Sequence, residues 1–270
     1  MSTMLQADAP GRPATKTRDR HITSVGKALR LLSAFRDITP PVGVSELARR
    51  SGLPKSTAFR FLADLEEVGF VERDGSDYRL GVSLFELGSR IPVCRPNGLR
   101  DSAMHDLSKL HARTGLSAHL GILEGTDVVH VAKVNHSTQT LPGHLCPGSR
   151  RPATCSALGK AILAFSRKDV VREVVEAGLE RRTRYSITEV PRLLRELTKV
   201  RETGLAHESE ESVLGLIGVA APIMLEGRAV GAVGVTLRAP AAPTARIVGE
   251  VRAAARSISQ RHGDLLYEMF

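Results

Sequence analysis

The most informative segment of the chain runs from residue 44 to residue 62 and reads VSELARRSGLPKSTAFRFL. It predicts a short helix that starts after Val44, with Ser45 as its N-cap, and ends at Gly52, because glycine readily adopts the left-handed conformation that closes a helix. A second helix follows, and its apolar residues recur at the helical spacing, at Ala58, Phe61, Leu62 and Leu65. Two short helices joined by a tight turn predict a helix-turn-helix over about residues 44–66.

The segments on either side complete the predicted domain. Residues 24–35 place apolar side chains at helical spacing, and Pro40-Pro41 ends that pattern. Downstream, residues 69–73 and 78–80 enclose the turn-forming sequence DGSD and predict a two-stranded hairpin. Three helices followed by a hairpin predict a winged helix-turn-helix domain over residues 21–83.

The second helix of this motif presents the residue types that read DNA. An α-helix fits the major groove, and its N-terminal side chains reach the base edges. Arg60 can pair bidentately with guanine, whereas Lys55 suits a phosphate. We therefore predict a DNA-binding surface on the helix-turn-helix and the hairpin, formed by Ser45, Lys55, Ser56, Thr57, Phe59, Arg60, Arg73 and Arg79. The alternative is an ordinary solvated helix face.

The rest of the chain predicts a second domain with a different pattern. Residues 84–98, which contain several Pro and Gly, predict a linker helix and hinge. Residues 99–270 mix helical and strand-like patterns, so they predict an α+β domain around an antiparallel sheet. The predicted helices are 99–113, 155–165, 170–177, 190–203 and 244–267, and the predicted strands are 116–123, 128–134, 216–224 and 229–237.

Residues 1–20 predict a flexible basic arm. They show no apolar period and end in the basic residues Lys16, Arg18 and Arg20. Such an arm suits the minor groove of DNA, although basic tails are also common without this role.

Composition limits the classes of function. The net charge of +9 suggests a polyanionic partner, because clustered Lys and Arg release counterions from phosphates. Residues 1–90 hold 14 basic and 11 acidic residues, so charge alone does not locate that surface. The three cysteines form no CxxC pair and favour a reducing cytoplasm. The chain has no apolar run of roughly 18–20 residues, so we expect no membrane-spanning helix. The start of the sequence lacks the apolar core of a signal peptide, so we expect no export.

Four ordered motifs resemble the IclR family of bacterial transcription regulators, named after the isocitrate-lyase regulator. The first domain carries SVGKAL at 24–29 and the segment from ELA to FRFL at 46–62. The second carries ALGKAILA at 157–164 and, within 204–222, the elements GLA, EE, G and AAP. The resemblance covers nearly the whole chain. It implies a GAF/PAS-like effector-binding domain, a homodimer or homotetramer, and a double-stranded DNA operator that is near-palindromic.

The resemblance also implies a pocket for a small-molecule effector, and no cofactor is predicted. Its lining would comprise Ala157, Leu158, Glu208, Leu216, Gly218, Gly234 and Thr236. The helix predicted to start near Cys155 and Ser156 would add unpaired N–H groups and a positive dipole end, which suit a carboxylate. Helix capping is the alternative role of these residues and of Thr154.

The chain departs from the family pattern at three pocket positions. Thr154 stands where histidine is common, and Gly218 and Gly234 stand where Cys and Ser are common. The two glycines predict extra room, which would suit an aromatic or branched acid.

Three other functions compete with this reading. A metal site could use His130, His136, His144, Cys146 and Cys155, but their spacing matches no compact zinc signature. An enzyme could use Cys155 or Ser156 as a nucleophile with His144 as its base, although no GxSxG, P-loop or dinucleotide motif is present. A DNA-binding protein without a ligand is the third. Turnover of a ligand would indicate the enzyme, and a metabolite-induced thermal shift would exclude the ligand-independent protein.

Overall fold

The computed structural model describes residues 22–36, 40–95, 97–135 and 145–267. The described residues form two compact units, the first spanning 22–35 and 40–81 and the second spanning 82–95, 97–135 and 145–267. The predicted arm at residues 1–20 lies outside the described residues, as do His136 and His144. The combination of a helical N-terminal unit and a C-terminal antiparallel sheet confirms the predicted α+β fold class.

The first unit has the predicted order of helices. They are α1 (Ser24–Ser33), α2 (Val44–Ser51) and α3 (Lys55–Glu67). The Thr23 side chain caps α1 by accepting a hydrogen bond from the Gly26 N–H at 3.1 Å. Gly52 closes α2 with a φ of 67°, in the left-handed region that glycine adopts without strain.

Two details of the first unit differ from the prediction. The sheet has three strands in the order β1-β3-β2, namely β1 (Val42–Gly43), β2 (Val71–Asp74) and β3 (Asp77–Leu80). Because β1 pairs with β3 and leads directly into α2, Gly43 is the N-cap and Ser45 lies within the first turn. The predicted N-cap role of Ser45 is therefore wrong.

The core of the first unit is formed where the three helices meet. Leu31 of α1, Leu47 of α2 and Leu62 of α3 are fully buried. The predicted apolar stripe of α3 faces this core throughout its length. Burial of this stripe turns the opposite face of α3 towards solvent.

The second unit consists of helices packed on one large sheet. Its helices are α4 (Val82–Gly88), α5 (Leu99–Thr114), α6 (Ala157–Ala164), α7 (Lys168–Glu176), α8 (Val190–Thr203) and α9 (Ala245–Tyr267). Its strands are β4 (Ser117–Glu124), β5 (Asp127–Val134), β6 (Arg150–Pro152), β7 (Ala206–Ser209), β8 (Leu216–Leu225) and β9 (Arg228–Arg238). The strands pair antiparallel in the order β6-β5-β4-β9-β8-β7.

The two faces of this sheet support separate apolar clusters. One cluster joins α5 and α9 to the sheet through residues such as Leu107, Leu120 and Ile258. The other joins α6, α7 and α8 to the opposite face through residues such as Ile162 and Leu197. The start of α6 therefore rests on the centre of the sheet. None of the helices in the described ranges is long and apolar enough to cross a membrane.

Candidate functional site

The N-terminal half of α3 exposes one face to solvent. Lys55, Ser56 and Arg60 are exposed, and Phe59 keeps 51% of its surface accessible. Pro54 occupies the N-cap position and offers no side-chain oxygen, so the N–H groups of the first turn remain available to an outside acceptor. This end of α3 therefore has the exposure and polarity that a phosphate requires.

Charge divides α3 into two ends. Within the described part of the chain, neither Lys55 nor Arg60 forms an ion pair. The C-terminal half instead carries Asp64, Glu66 and Glu67, which would repel phosphates. The N-terminal half is therefore the end that can approach DNA.

The arginines of the hairpin already have partners in the protein. Arg79 lies 2.9 Å from a carboxylate oxygen of Glu72, and Arg73 lies 3.6 Å from Glu66. The Arg73 guanidinium also donates to the Tyr78 hydroxyl at 3.0 Å and lies 5.8 Å from the centroid of the Phe59 ring. Arg73 thus joins the hairpin to the exposed face of α3.

The second unit contains a pocket between the sheet and the start of α6. Eight of the nine residues expected to line an effector pocket surround it: Ser156, Ala157, Leu158, Glu208, Leu216, Gly218, Gly234 and Thr236. The ninth, Cys155, is buried away from the pocket, and its thiol donates to the carbonyl oxygen of Glu180. The empty space of the pocket is about 430 Å³, including its open mouth.

The start of α6 differs by two residues from the prediction. A short 3₁₀ turn occupies Ala153–Cys155, so Ser156 is the N-cap of α6 and accepts a hydrogen bond from the Gly159 N–H at 3.0 Å. Among the residues described, no acceptor is found for the N–H groups of Ala157 and Leu158, and both residues line the pocket. Capping by Ser156 and an anion-binding role of the helix end are thus compatible.

The expectation of extra room at the two pocket glycines is wrong. A Cβ atom at Gly234 would lie 2.4 Å from the carbonyl oxygen of Val219, so the neighbouring backbone already fills that space. A Cβ atom at Gly218 would lie 3.2 Å from the Ala157 Cβ and 3.2 Å from the Glu208 Oε2. These glycines allow the strands and α6 to approach closely rather than enlarging the pocket.

Two buried acids connect the pocket to the loop after β7. Glu208 accepts hydrogen bonds from the backbone N–H and the hydroxyl of Ser212, another residue of the pocket wall. Glu211 accepts a hydrogen bond from the ammonium of Lys160 at 2.7 Å. Burial raises the pKa of both carboxyls. Lys160 and these acids therefore hold α6 and this loop together around the pocket.

Sequence reasoning did not place His119, His130 or Arg151 in the pocket, although it named His130 as a possible metal ligand. His119 and His130 lie on the neighbouring strands β4 and β5, and Arg151 lies on the edge strand β6. His119 and His130 each stand between apolar neighbours in a predicted strand, which was the available signal, whereas Arg151 lies in a segment for which no strand was predicted. The pairing of distant strands brings the three together.

Both histidines resist protonation. Burial lowers the pKa of His119 well below its usual range. Burial also lowers the pKa of His130 to about 4, with further contributions from the charges of Arg151 and Lys133. Both rings are therefore neutral at neutral pH.

This protonation behaviour predicts an acid-sensitive fold. The unfolded chain binds protons at His119 and His130 near pH 6.5, whereas the folded chain does not, so stability falls as the pH drops below about 6.5. His130→Gln should reduce the pH slope of the unfolding free energy by up to about 1.4 kcal/mol per pH unit between pH 6 and 4.5. Urea titrations at these pH values measure the slope, with exposed His105→Gln as the control. Equal slopes in His130→Gln and wild type would contradict the prediction.

The environment of Cys155 bears on its proposed role as a nucleophile. Burial raises the pKa of the Cys155 thiol, which disfavours the nucleophilic thiolate. Its proposed base, His144, lies outside the described residues. Within those residues, no group of three or more His, Cys, Asp or Glu side chains is arranged to hold a metal ion.

A winged helix-turn-helix, followed in the same chain by a domain with a polar pocket, defines a DNA-binding transcription regulator. Residues 24–75 match the IclR helix-turn-helix domain, and residues 93–260 match the C-terminal domain of the bacterial transcriptional regulator IclR. The chain therefore belongs to the IclR family of bacterial transcriptional regulators.

Individual relatives agree with this assignment. The HTH-type transcriptional regulator KdgR of Escherichia coli (strain K12) is 34% identical over 210 residues, which cover 75% of this chain and 76% of that protein. A crystal structure of Thermotoga maritima IclR superposes with a TM-score of 0.71 at 31% identity, covering 90% of this chain and 100% of that one. An IclR homologue from Microbacterium hydrocarbonoxydans, crystallised in complex with 4-hydroxybenzoate, has a TM-score of 0.78 at 25% identity, covering 89% and 99%.

Proposed function

We propose that this regulator binds a near-palindromic operator as a dimer or tetramer, acts in the cytoplasm, and is controlled by a small carboxylate rather than turning a substrate over. Residues 21–83 read the DNA, preceded by a basic arm at 1–20. Residues 84–98 form the linker and hinge, and residues 99–270 bind the effector. The observation that carries this proposal is the polar pocket at the start of α6 in a chain that also presents an exposed, basic end of α3.

For the operator, we propose that Arg60 reads a base while Lys55 holds a phosphate. Both side chains are exposed and without ion pairs in the described residues, whereas Arg73 and Arg79 are held by carboxylates and act as secondary backbone contacts. The exposed Phe59 ring would contact a thymine methyl group. Ser45, Ser56 and Thr57 contribute hydroxyl groups to the same surface.

Arg60→Ala should reduce discrimination between operator and scrambled DNA by about 1–3 kcal/mol, because a bidentate contact to guanine is lost. Lys55→Ala is the matched control, since loss of a phosphate contact should weaken both DNAs alike and lower the salt slope by about one. Fluorescence anisotropy with both DNAs at several salt concentrations measures these quantities. An unchanged ratio of the two affinities in Arg60→Ala would rule out the base-reading role.

The proposed self-association is supported by apolar side chains on α4. Val82, Phe85 and Leu87 lie on this short helix, and Phe85 keeps 72% of its surface accessible. Large apolar side chains left exposed on one short helix favour an interface with another chain. Sedimentation should give a dimer or tetramer, and footprinting should show two related half-sites. A monomer that protects a single half-site would contradict the proposal.

The proposed carboxylate binds at the start of α6. The N–H groups of Ala157 and Leu158, for which the described residues provide no acceptor, and the positive end of the helix favour an anion. The buried guanidinium of Arg151 adds a positive charge to the pocket wall. Burial raises the pKa of Glu208, which reduces the repulsion between this carboxyl and a bound anion.

Gly218→Leu should abolish the effector response. The Cβ atom of the new leucine would already contact Ala157 and Glu208, so the remaining atoms of its side chain must occupy the pocket. Gly218→Ala should give a smaller loss. The measurement is the affinity of the protein for operator DNA with and without effector. In wild type, the effector should change this affinity by roughly 5–150-fold, and operator DNA should change the effector affinity by the same factor. A tight ligand that leaves wild-type operator affinity unchanged would show that this pocket is not the switch.

A further inference from the structure

Glu208 is a buried carboxyl group beside the proposed carboxylate position. Only 8% of the residue is exposed, and it forms part of the pocket wall. Its Oε1 atom accepts hydrogen bonds from the backbone N–H of Ser212 at 3.0 Å and from the Ser212 hydroxyl. Because both hydrogen bonds use Oε1, the Oε2 atom is available for further interactions.

The Oε2 atom of Glu208 faces the start of α6. The Cβ position of Gly218 lies 3.2 Å from Oε2 and also 3.2 Å from the Ala157 Cβ, so this oxygen and the first residue of α6 flank the same point. The Ala157 N–H belongs to the helix end at which we place the effector carboxylate. A bound carboxylate and an ionised Glu208 would therefore be two like charges close together. Two carboxylates that share one site do not both remain ionised without a large cost, and one of their pKa values rises strongly.

The cations around Glu208 do not remove this repulsion. Lys160 of α6 directs its ammonium to Glu211 at 2.7 Å and lies 3.7 Å from Glu196 of α8, so it already faces two other acids. Arg151 is buried in the pocket wall, but it lies on β6, which forms the edge of the sheet opposite β7. Two buried cations would then face three negative charges, those of Glu208, Glu211 and the ligand. One added proton restores the balance.

Three groups of the pocket can hold that proton, namely Glu208, His119 and His130. A proton on either histidine creates a positive charge in surroundings that lower the pKa of both rings, and the charges of Arg151 and Lys133 further oppose a proton on His130. Burial instead raises the pKa of Glu208, so this carboxyl takes up a proton more readily. A protonated Oε2 donates a short, charge-assisted hydrogen bond to an ionised carboxylate.

We propose that the effector carboxylate binds together with one proton, which Glu208 takes up and shares with the ligand. The proton is then a second ligand of this unit, and a lower pH increases the response to a given concentration of effector. This inference rests on the carboxylate site proposed above and adds a linkage between effector binding and pH. Below the pKa of Glu208 in the ligand-free protein, the proton is already bound and the linkage disappears.

Isothermal titration of the full-length protein with acetate, hexanoate and benzoate tests this linkage. The three acids differ in size, and all are ionised between pH 7 and 9. The dependence of the observed binding enthalpy on the ionisation enthalpy of the buffer gives the number of protons taken up. For each acid that binds, this number should approach one as the pH rises. The affinity should fall about tenfold per pH unit once Glu208 is ionised in the free protein.

Glu208→Gln keeps a hydrogen-bond donor in the pocket but cannot titrate. The variant should bind the same acids with almost no proton uptake, and its affinity should change less than about twofold per pH unit. A merely structural role of Glu208 would weaken binding equally at every pH and leave the proton uptake unchanged. Glu202→Gln removes an exposed acid of α8 and is the matched control. It should retain the proton uptake and the pH dependence of wild type.

Each failure has its own meaning. Binding of an acid by wild type without proton uptake between pH 7 and 9 overturns the linkage and leaves the carboxylate pocket standing. Proton uptake that persists in Glu208→Gln, with folding verified by circular dichroism, overturns the assignment to Glu208 and identifies the histidines as the acceptors. The proton count of wild type depends on no variant, so it tests the linkage by itself. Binding of none of the three acids overturns the proposed carboxylate function and this inference with it.

Discussion

Replacing Lys160 with Met should lower the free energy of unfolding by about 3–5 kcal/mol, because it leaves a buried carboxylate without its cation. Lys160 is fully buried, and its ammonium lies 2.7 Å from a carboxylate oxygen of Glu211 and 3.7 Å from one of Glu196. Without Lys160, the already raised pKa of Glu211 should rise further. The loss should therefore be larger at pH 8 than at pH 5, where Glu211 takes up a proton more easily. Urea unfolding followed by circular dichroism measures it.

Two variants control the Lys160 prediction. Lys160→Met with Glu211→Gln removes both charges and should recover at least half of the lost stability, since replacing a whole buried pair is often nearly neutral. Lys199→Met removes an exposed lysine of α8 and should change stability by less than about 0.5 kcal/mol. A Lys160→Met protein within about 1 kcal/mol of wild type at pH 8 would contradict the prediction.

Leu62→Ala should destabilise the first unit by about 2–5 kcal/mol, because it opens a cavity where α1, α2 and α3 meet. Leu62 is fully buried. The apolar clusters of the second unit draw their members from residues 93–258, so the damage should remain in the first unit. Hydrogen exchange of the full chain should be faster in residues 40–81. In a separate binding assay at 37 °C, the affinity for operator DNA should be reduced or lost.

Leu193→Ala provides the mirror control for this experiment. Leu193 is also fully buried, but it belongs to the cluster between α6 and α8. Its replacement should accelerate exchange in the second unit and weaken the effector response first. Unchanged exchange across residues 40–81 in Leu62→Ala would show that the core of the first unit does not depend on this side chain.

Local patterns predicted the helices of both units well, because apolar spacing and closing glycines such as Gly52 act within a few residues. They failed where distant pairing decides the structure. β1 spans two residues and exists because it pairs with β3, and β6 and β7 are short edge strands. No periodic pattern develops over such lengths.

The candidate site was predictable to a similar extent. The resemblance supplied the α6 start and the late strands, and the structure brings those residues together around one pocket. His119 and Arg151 were not anticipated, because they face the pocket only after β4, β5 and β6 pair. The expectation of extra room at Gly234 was wrong, because the sequence does not reveal how closely the Val219 carbonyl oxygen approaches the Gly234 backbone.

The contact of Arg73 with both Phe59 and Tyr78 has a consequence for how operator preference evolves. A substitution at Phe59 alters the surface that contacts bases and also removes the ring against which the hairpin arginine rests. Positions 59 and 73 should therefore show epistasis, with the fitness effect of one depending on the other. Lineages that switch operators would then change the two residues in succession, and intermediates that carry a single change would bind both operators poorly.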